Sequence, residues 1–296
     1  MLTINPTSEA IKFHQEKVLD TFETLISNGY IKRNNKIKNI CKEFISFLEK
    51  YKLELITAKP NRLIEIHEEF KKKRFSKHQI ELIKSFFIQT GYRSFPNKDF
   101  LNLLNIDTCV YCNRNYSLQF NLESNHTRAE LDHWFPKGEF PILALSFYNL
   151  IPSCHSCNHI KGASKDYNWL EALDKINHPY FDKNDFTFSY EYQSLNNFKM
   201  KINVEHPKTK ETLKFNKTKE IYDAHSEKEL KDLLELRYKY SNNYLDILLN
   251  KTFSGLSMSE EEACRMIFGI EIKEEDYHKR PFSKFKHDII KELLKQ

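Results

Sequence analysis

The chain has 296 residues, with 46 Lys and Arg against 41 Asp and Glu, a formal charge of +5. Its 40% hydrophobic and 14% aromatic content excludes wholesale disorder, and the length suits two domains or one core with helical extensions. No apolar run approaches the roughly 18 residues of a membrane span. The start, MLTINPTSEAIKFHQEK, is polar and charged where a signal peptide needs an apolar stretch, so a cytoplasmic location is expected.

Residues 1–100 read as a helical, basic region. Ser8 can cap a helix carrying Ile11, Val18, Phe22 and Ile26, with Asn28-Gly29 as its stop. A second apolar stripe runs Ile37, Ile40, Cys41, Phe44, Phe47, Leu48 and Tyr51, and Pro60 precedes a third through Leu63, Ile66 and Phe70. The run Lys71-Lys72-Lys73-Arg74 is a solvated face or a phosphate contact. A further stripe at Ile80, Ile83 and Phe87 follows it, and Gly91 to Pro96 reads as a closing loop.

Helical periodicity fades over residues 101–175, where Cys, His, Asn, Trp and Pro concentrate. Residues 176–296 open with a short hairpin, Phe186–Tyr190 against Phe198–Val204. Two capping boxes follow, Ser226 with Glu229 before Leu230, Leu233, Leu234, Leu245 and Leu248, and Ser259 with Glu262 before Ile267 and Phe268. Gly269 is a plausible stop, and Pro281 can open a last helix with Phe282, Phe285, Ile289 and Leu293 inward.

Chemistry concentrates in the middle. Cys109-Val-Tyr-Cys112 and Cys154-His-Ser-Cys157 are two knuckles with 41 residues between them. Four thiolates satisfy a tetrahedral zinc, and a two-residue gap lets both sulfurs of a knuckle face one ion. Independent buried cysteines are a weaker reading because two such pairs occur in one chain, and a redox pair is weaker still because neither has a thioredoxin-like strand–helix setting. Cys41 and Cys264 sit on apolar helical faces, where core packing is the default.

Between the knuckles lies Asp132-His133-Trp134-Phe135-Pro136-Lys137, then Asn149-Leu150. The second knuckle then continues into Asn158-His159-Ile160-Lys161-Gly162. This order over residues 109–162 resembles the zinc-stapled branch of the HNH endonuclease family. The resemblance implies an α+β fold with a ββα-metal module between helical flanks. Glu130–His133 would end its first strand, Asn149–Ile151 would make the second, and the helix would start near Cys154 or Cys157. Neighbours on a strand point to opposite faces, so Asp132 and His133 need a local distortion to reach one site.

The resemblance also implies roles. His133 would be the general base that activates water. Asp132 and Asn158 would hold catalytic magnesium or manganese, with His155 or His159 as alternatives to Asn158. Asn149 would hydrogen-bond the loop that aims His133. The zinc would fix the helix carrying Asn158. Trp134 and Phe135 read as core rather than wedges between bases. Arg114, Lys137 and Lys161 are candidate phosphate contacts, with helix packing as the other role for Lys161; His278-Lys279-Arg280 is a weaker candidate. The apolar loop Gly138–Tyr148 departs from relatives that carry glycines there, and suits a short helix or packing on a flank or partner.

The reading is thus a metal-dependent HNH endonuclease acting on nucleic acid, with DNA favoured over RNA. Asp-His-x-x-Pro-Lys between long flanks also resembles nuclease subunits of bacterial anti-phage systems; in the Septu type such a subunit is commanded by a separate ATPase. The alternative is a zinc-stabilised nucleic-acid-binding or scaffold protein with a degenerate catalytic site. Residues 1–100 carry 19 basic against 12 acidic side chains, whereas 101–175 carry 6 against 8. The basic excess therefore belongs to the N-terminal region, and general DNA affinity is expected there first.

Overall fold

Thr7 rather than Ser8 caps the first helix: its hydroxyl accepts from the Ala10 amide at 3.0 Å, and α1 runs Ser8–Asn28 until Gly29 takes the left-handed conformation, φ 68°. The computed structural model describes residues 1–118, 120–121, 126–127, 130–162, 167–194, 197–239 and 259–294.

The stripe through Ile37 and Ile40 is not helical. Tyr30–Arg33 (β1) and Lys36–Asn39 (β2) form an antiparallel hairpin. Its turn is Asn34-Asn35, with φ 50° and 58°, the left-handed pair that a two-residue hairpin loop requires. Helices α2 (Lys42–Thr57), α3 (Pro60–Lys72) and α4 (Lys77–Ser85) follow. Their inward residues Phe44, Leu48, Leu63, Ile66 and Ile83 bury with Val18 and Phe22 of α1. Phe22, Phe44, Phe70 and Phe87 meet there largely edge to face.

The stretch expected to be a loop from Gly91 begins as helix. Phe86–Tyr92 is a π-helical continuation of α4, after which α5 spans Asn97–Leu104. Gly91 lets the buried loop approach closely: a Cβ there would sit 2.5 Å from Leu145 Cδ1 and oblige that side chain to shift. Two-residue strands β3 (Phe120–Asn121) and β4 (His126–Thr127) pair next. Then β5 (Glu130–His133) pairs antiparallel with β6 (Leu150–Ser153), and α6 (His155–Gly162) follows directly. The apolar loop between β5 and β6 forms two single-turn 3-10 helices, Pro141–Leu143 and Phe147–Asn149, both buried against the N-terminal helices.

Beyond a short α7 (Ala172–Lys175), the expected hairpin is present as β7 (Thr187–Ser194) and β8 (Asn197–Asn203). Helices α8 (Pro207–Phe215) and α9 (Thr218–Asp223) follow. Ser226 is not the expected cap: its hydroxyl donates back to the Asp223 carbonyl, and Ser226–Leu230 is a π-helical turn leading into α10 (Lys231–Lys239). Leu245 and Leu248 lie outside the described residues. The Ser259–Glu262 capping box is formed on α11 (Glu260–Phe268), which Gly269 ends at φ 68°. The last helix, α12, spans Ser283–Leu293 with Phe285, Ile289 and Leu293 inward, starting two residues after Pro281. The whole is helix-rich α+β with small two-stranded sheets. Among the described residues no helix is long and apolar enough to cross a membrane.

Candidate active site and metal cluster

The four cysteines converge. The sulfurs of Cys109, Cys112, Cys154 and Cys157 all lie within 4.8 Å of one another, compatible with the ~3.8 Å edge of a tetrahedral zinc–thiolate site. Cys109–Cys112 forms a knuckle closed by the Asn113 amide on the Cys109 carbonyl at 2.8 Å, with Asn113 at φ 50°. Cys154 immediately precedes α6 and Cys157 lies in its first turn, so the cluster clamps the helix start. Burial pushes the Cys109 thiol well above its ordinary range, a shift that a bound cation reverses. The four thiols therefore suit a metal ion such as zinc.

Both flanks grip this cluster. The Leu2 amide donates to Val110, Tyr222 Oη to the Cys112 carbonyl at 2.6 Å, and the Phe282 amide to Asn113. The Asn113 side-chain amide reaches the carbonyls of Tyr277 and Arg280.

On β5 the pleat sends Glu130 and Asp132 toward α6. Asp132 Oδ2 accepts from Tyr111 Oη at 2.6 Å and pairs with Lys161 Nζ at 2.8 Å, with Asp132 and Lys161 both buried. Lys161 Nζ also donates to the His133 carbonyl and lies 4.7 Å from the centroid of Trp169. Asn158 is on the same side, but its amide donates to Glu130 Oε2 at 2.7 Å, and His155 Nδ1 meets Glu130 Oε1 at 2.7 Å. Asp132 and Asn158 thus meet where α6 packs on β5 and are held by different partners. His159 stacks beside His155 and has no such contact with Glu130.

The ring of His133 goes elsewhere, as the pleat requires. Its Nε2 lies 3.1 Å from the Ala144 carbonyl, and its ring packs edge-on against Tyr92 at 4.4 Å. A carbonyl only accepts, so Nε2 carries the proton and Nδ1 keeps its lone pair. Burial, with Lys137 and Lys161 adding positive charge, holds the imidazole pKa well below its ordinary value, so the ring is neutral. Asn149 fixes the loop that supplies that carbonyl: it accepts from the Phe135 amide at 2.6 Å and donates to the Phe135 and Leu143 carbonyls at 3.2 and 2.8 Å.

Several neighbours escaped the sequence reading. Tyr92 arrives from the π-helical turn, donates to the Leu131 carbonyl at 3.0 Å and has Lys137 Nζ 4.7 Å from its ring centroid. Tyr111 and Glu130 are the other two. Their only sequence signal is position: Tyr111 sits inside a knuckle, and Glu130 lies two residues before Asp132, on the same strand face. Trp134 and Phe135 are core, as expected. Arg114 contacts His225 at 3.1 Å, and Lys161 is buried in the ion pair with Asp132 rather than exposed to a ligand.

An 80-residue stretch, 26% of this chain, is 32% identical to the Septu protein PtuB of Bacillus thuringiensis. That stretch is 28% of the relative's length. No family model matches the chain, and no solved structure matches it.

Proposed function

We propose that the chain is a metal-dependent HNH endonuclease that hydrolyses phosphodiester bonds, DNA in preference to RNA, within a bacterial anti-phage system of the Septu type. The observation that carries the chemistry is the geometry at His133: its Nε2 meets the Ala144 carbonyl at 3.1 Å, which leaves Nδ1 as the ring atom that can accept a proton from water. The β5–β6–α6 order behind a four-cysteine cluster supports the ββα-metal assignment. The distant similarity to a Septu protein supports the defence setting; a partner ATPase subunit is part of the proposal.

In this reading zinc fills the cysteine cluster and holds the start of α6. Asp132 and Asn158, with Glu130 beside them, offer hard oxygen donors that suit magnesium or manganese. Bound there, such a cation would neutralise charge on the scissile phosphate and the leaving 3′-oxygen. His133 takes the proton of the attacking water. Asn149 keeps the Ala144 carbonyl against Nε2 and so holds the ring in its tautomer. Tyr92 packs the ring from the N-terminal side.

One observation favours a second reading. Lys161 already neutralises Asp132, and Glu130 already engages Asn158. A zinc-stabilised nucleic-acid-binding or scaffold protein with a degenerate site would look the same. Relaxation of supercoiled plasmid by the full chain separates the two. The nuclease reading expects relaxation with added magnesium or manganese, none without it, and loss in Asp132→Asn. Plasmid retained but never cut, with partner ATPase and nucleotide present, supports the second reading.

A further inference from the structure

The hairpin β1–β2 belongs neither to the cysteine cluster nor to the β5–α6 contact, and its charge is one-sided. Residues 30–42 carry five cations and no carboxylate, and residues 71–80 carry another five and none. These two segments are distant in sequence and joined in space. Gln79 accepts from the Cys41 amide at 3.0 Å and donates to the Asn39 carbonyl at 3.3 Å, seating the start of α4 against the base of the hairpin. Lys32, Arg33, Lys36, Lys73, Arg74 and Lys77 are exposed, and among the described residues none of them makes an ion pair.

Register sharpens the point. Arg33 faces Lys36 directly across the ladder at the tip, and like charges in that position destabilise a hairpin. The arrangement therefore costs free energy in the isolated chain, which a polyanion would recover. Ile31 is buried at the base, whereas every residue from Lys32 to Ile37 is exposed. At ~3.3 Å per residue the ribbon reaches about 10 Å beyond Ile31. That matches the ~8.5 Å depth of the B-form major groove, which admits a two-stranded ribbon. A membrane surface fits less well, because cations line the tip and Ile37 is its sole exposed apolar side chain. The deep, narrow groove of A-form RNA would not admit it.

We infer that the β1–β2 hairpin, together with Lys73 and Lys77, is a duplex-DNA-binding arm that enters the major groove and contacts the flanking phosphates. It deepens the nuclease reading by naming how substrate is held, and rests on that reading only for the choice of DNA among polyanions.

The test is fluorescence anisotropy of the full chain with a labelled DNA duplex of about 30 base pairs, without added magnesium or manganese, over a salt series. Cleavage plays no part, so the outcome is read whether or not the nuclease reading holds. Arg33→Ser with Lys36→Ser leaves the turn intact. It is expected to weaken binding about 10- to 30-fold near physiological salt and to reduce the slope of log K against log salt by about 1.8, two phosphate contacts' worth. Lys73→Ser with Lys77→Ser has a similar effect, and Arg33→Lys with Lys36→Arg keeps binding. Lys199→Ser with Lys201→Ser, on the other hairpin, is the charge control and changes little. Unchanged affinity and slope in both test pairs would overturn the arm. So would an equal loss in the control pair, equal binding of duplex RNA, or capture of phosphatidylserine vesicles in place of DNA.

Discussion

Lys161 Nζ sits 2.8 Å from Asp132 Oδ2, an ion pair buried where the last turn of α6 meets β5. Burial holds the ammonium pKa below its ordinary value and Asp132 offsets only part of that, so the lysine's charge depends on its partner. Removing one partner leaves the other buried and unmatched. Lys161→Met is therefore expected to cost about 3–5 kcal/mol in urea unfolding. Asp132→Asn with Lys161→Met should cost less than the two single changes together. Additive single effects would show that the pair is not coupled.

Asn149 makes three hydrogen bonds into the β5–β6 loop from a buried position. Asn149→Ala strands the Phe135 amide and the Leu143 carbonyl, at a cost on the order of 2–3 kcal/mol. It also frees the Ala144 carbonyl from its place against His133. Cleavage should fall further than the folded fraction does, read as single-turnover rate at a temperature where circular dichroism shows the variant folded. A rate unchanged in the folded variant would remove Asn149 from the site.

Three more histidines pack on the same loop and its margins. His14 lies among Phe95, Phe100 and Phe147, His67 against Phe140, and His178 against Trp134. Burial lowers their pKa values to about 3, about 4 and about 3. Each is neutral when folded and titrates near 6.5 once unfolded, so below pH 6.5 the unfolded chain binds more protons. Stability is full above that pH and falls as pH drops toward 4, by up to about 1.4 kcal/mol per pH unit for each histidine. Urea midpoints between pH 7.5 and 4.5 check this, and His14→Phe should flatten the slope. A flat profile in the wild type would contradict it.

The cysteine cluster ties the N-terminal residues, β6, α6 and the C-terminal segment to one point. Protein purified without chelator should hold about one zinc per chain, and Cys157→Ser should lower the thermal midpoint sharply. A markedly substoichiometric zinc content would undo the four-cysteine assignment.

The site was more legible than its surroundings. Cys-x-x-Cys spacing and Asp132-His133 are local patterns that sit on the knuckle and strand anticipated for them, whereas Asn149, expected to open the second strand, ends a 3-10 turn one residue before β6. The hairpin at residues 30–39 was hidden because Ile37, Ile40 and Cys41 also fit helical spacing, and Asn34-Asn35 is a weaker turn signal than Asn-Gly. Ser226 misled in the same way: a capping-box spacing occurs, but the preceding turn takes its hydroxyl. Tyr92, Tyr111 and Glu130 reach the site through tertiary contacts that no spacing encodes. Lys161 could be flagged by sequence, yet its burial against Asp132 follows only from the seating of α6 on β5.

We propose His133 as the base of a phosphodiesterase site. The most direct test is the initial nicking rate on supercoiled plasmid with manganese, for wild type and His133→Ala at equal zinc content, with the partner subunit added if the chain alone is silent. Wild type is expected to nick, leaving 3′-hydroxyl ends, and His133→Ala to lose at least about 100-fold in rate. Equal nicking by the two proteins would contradict that role.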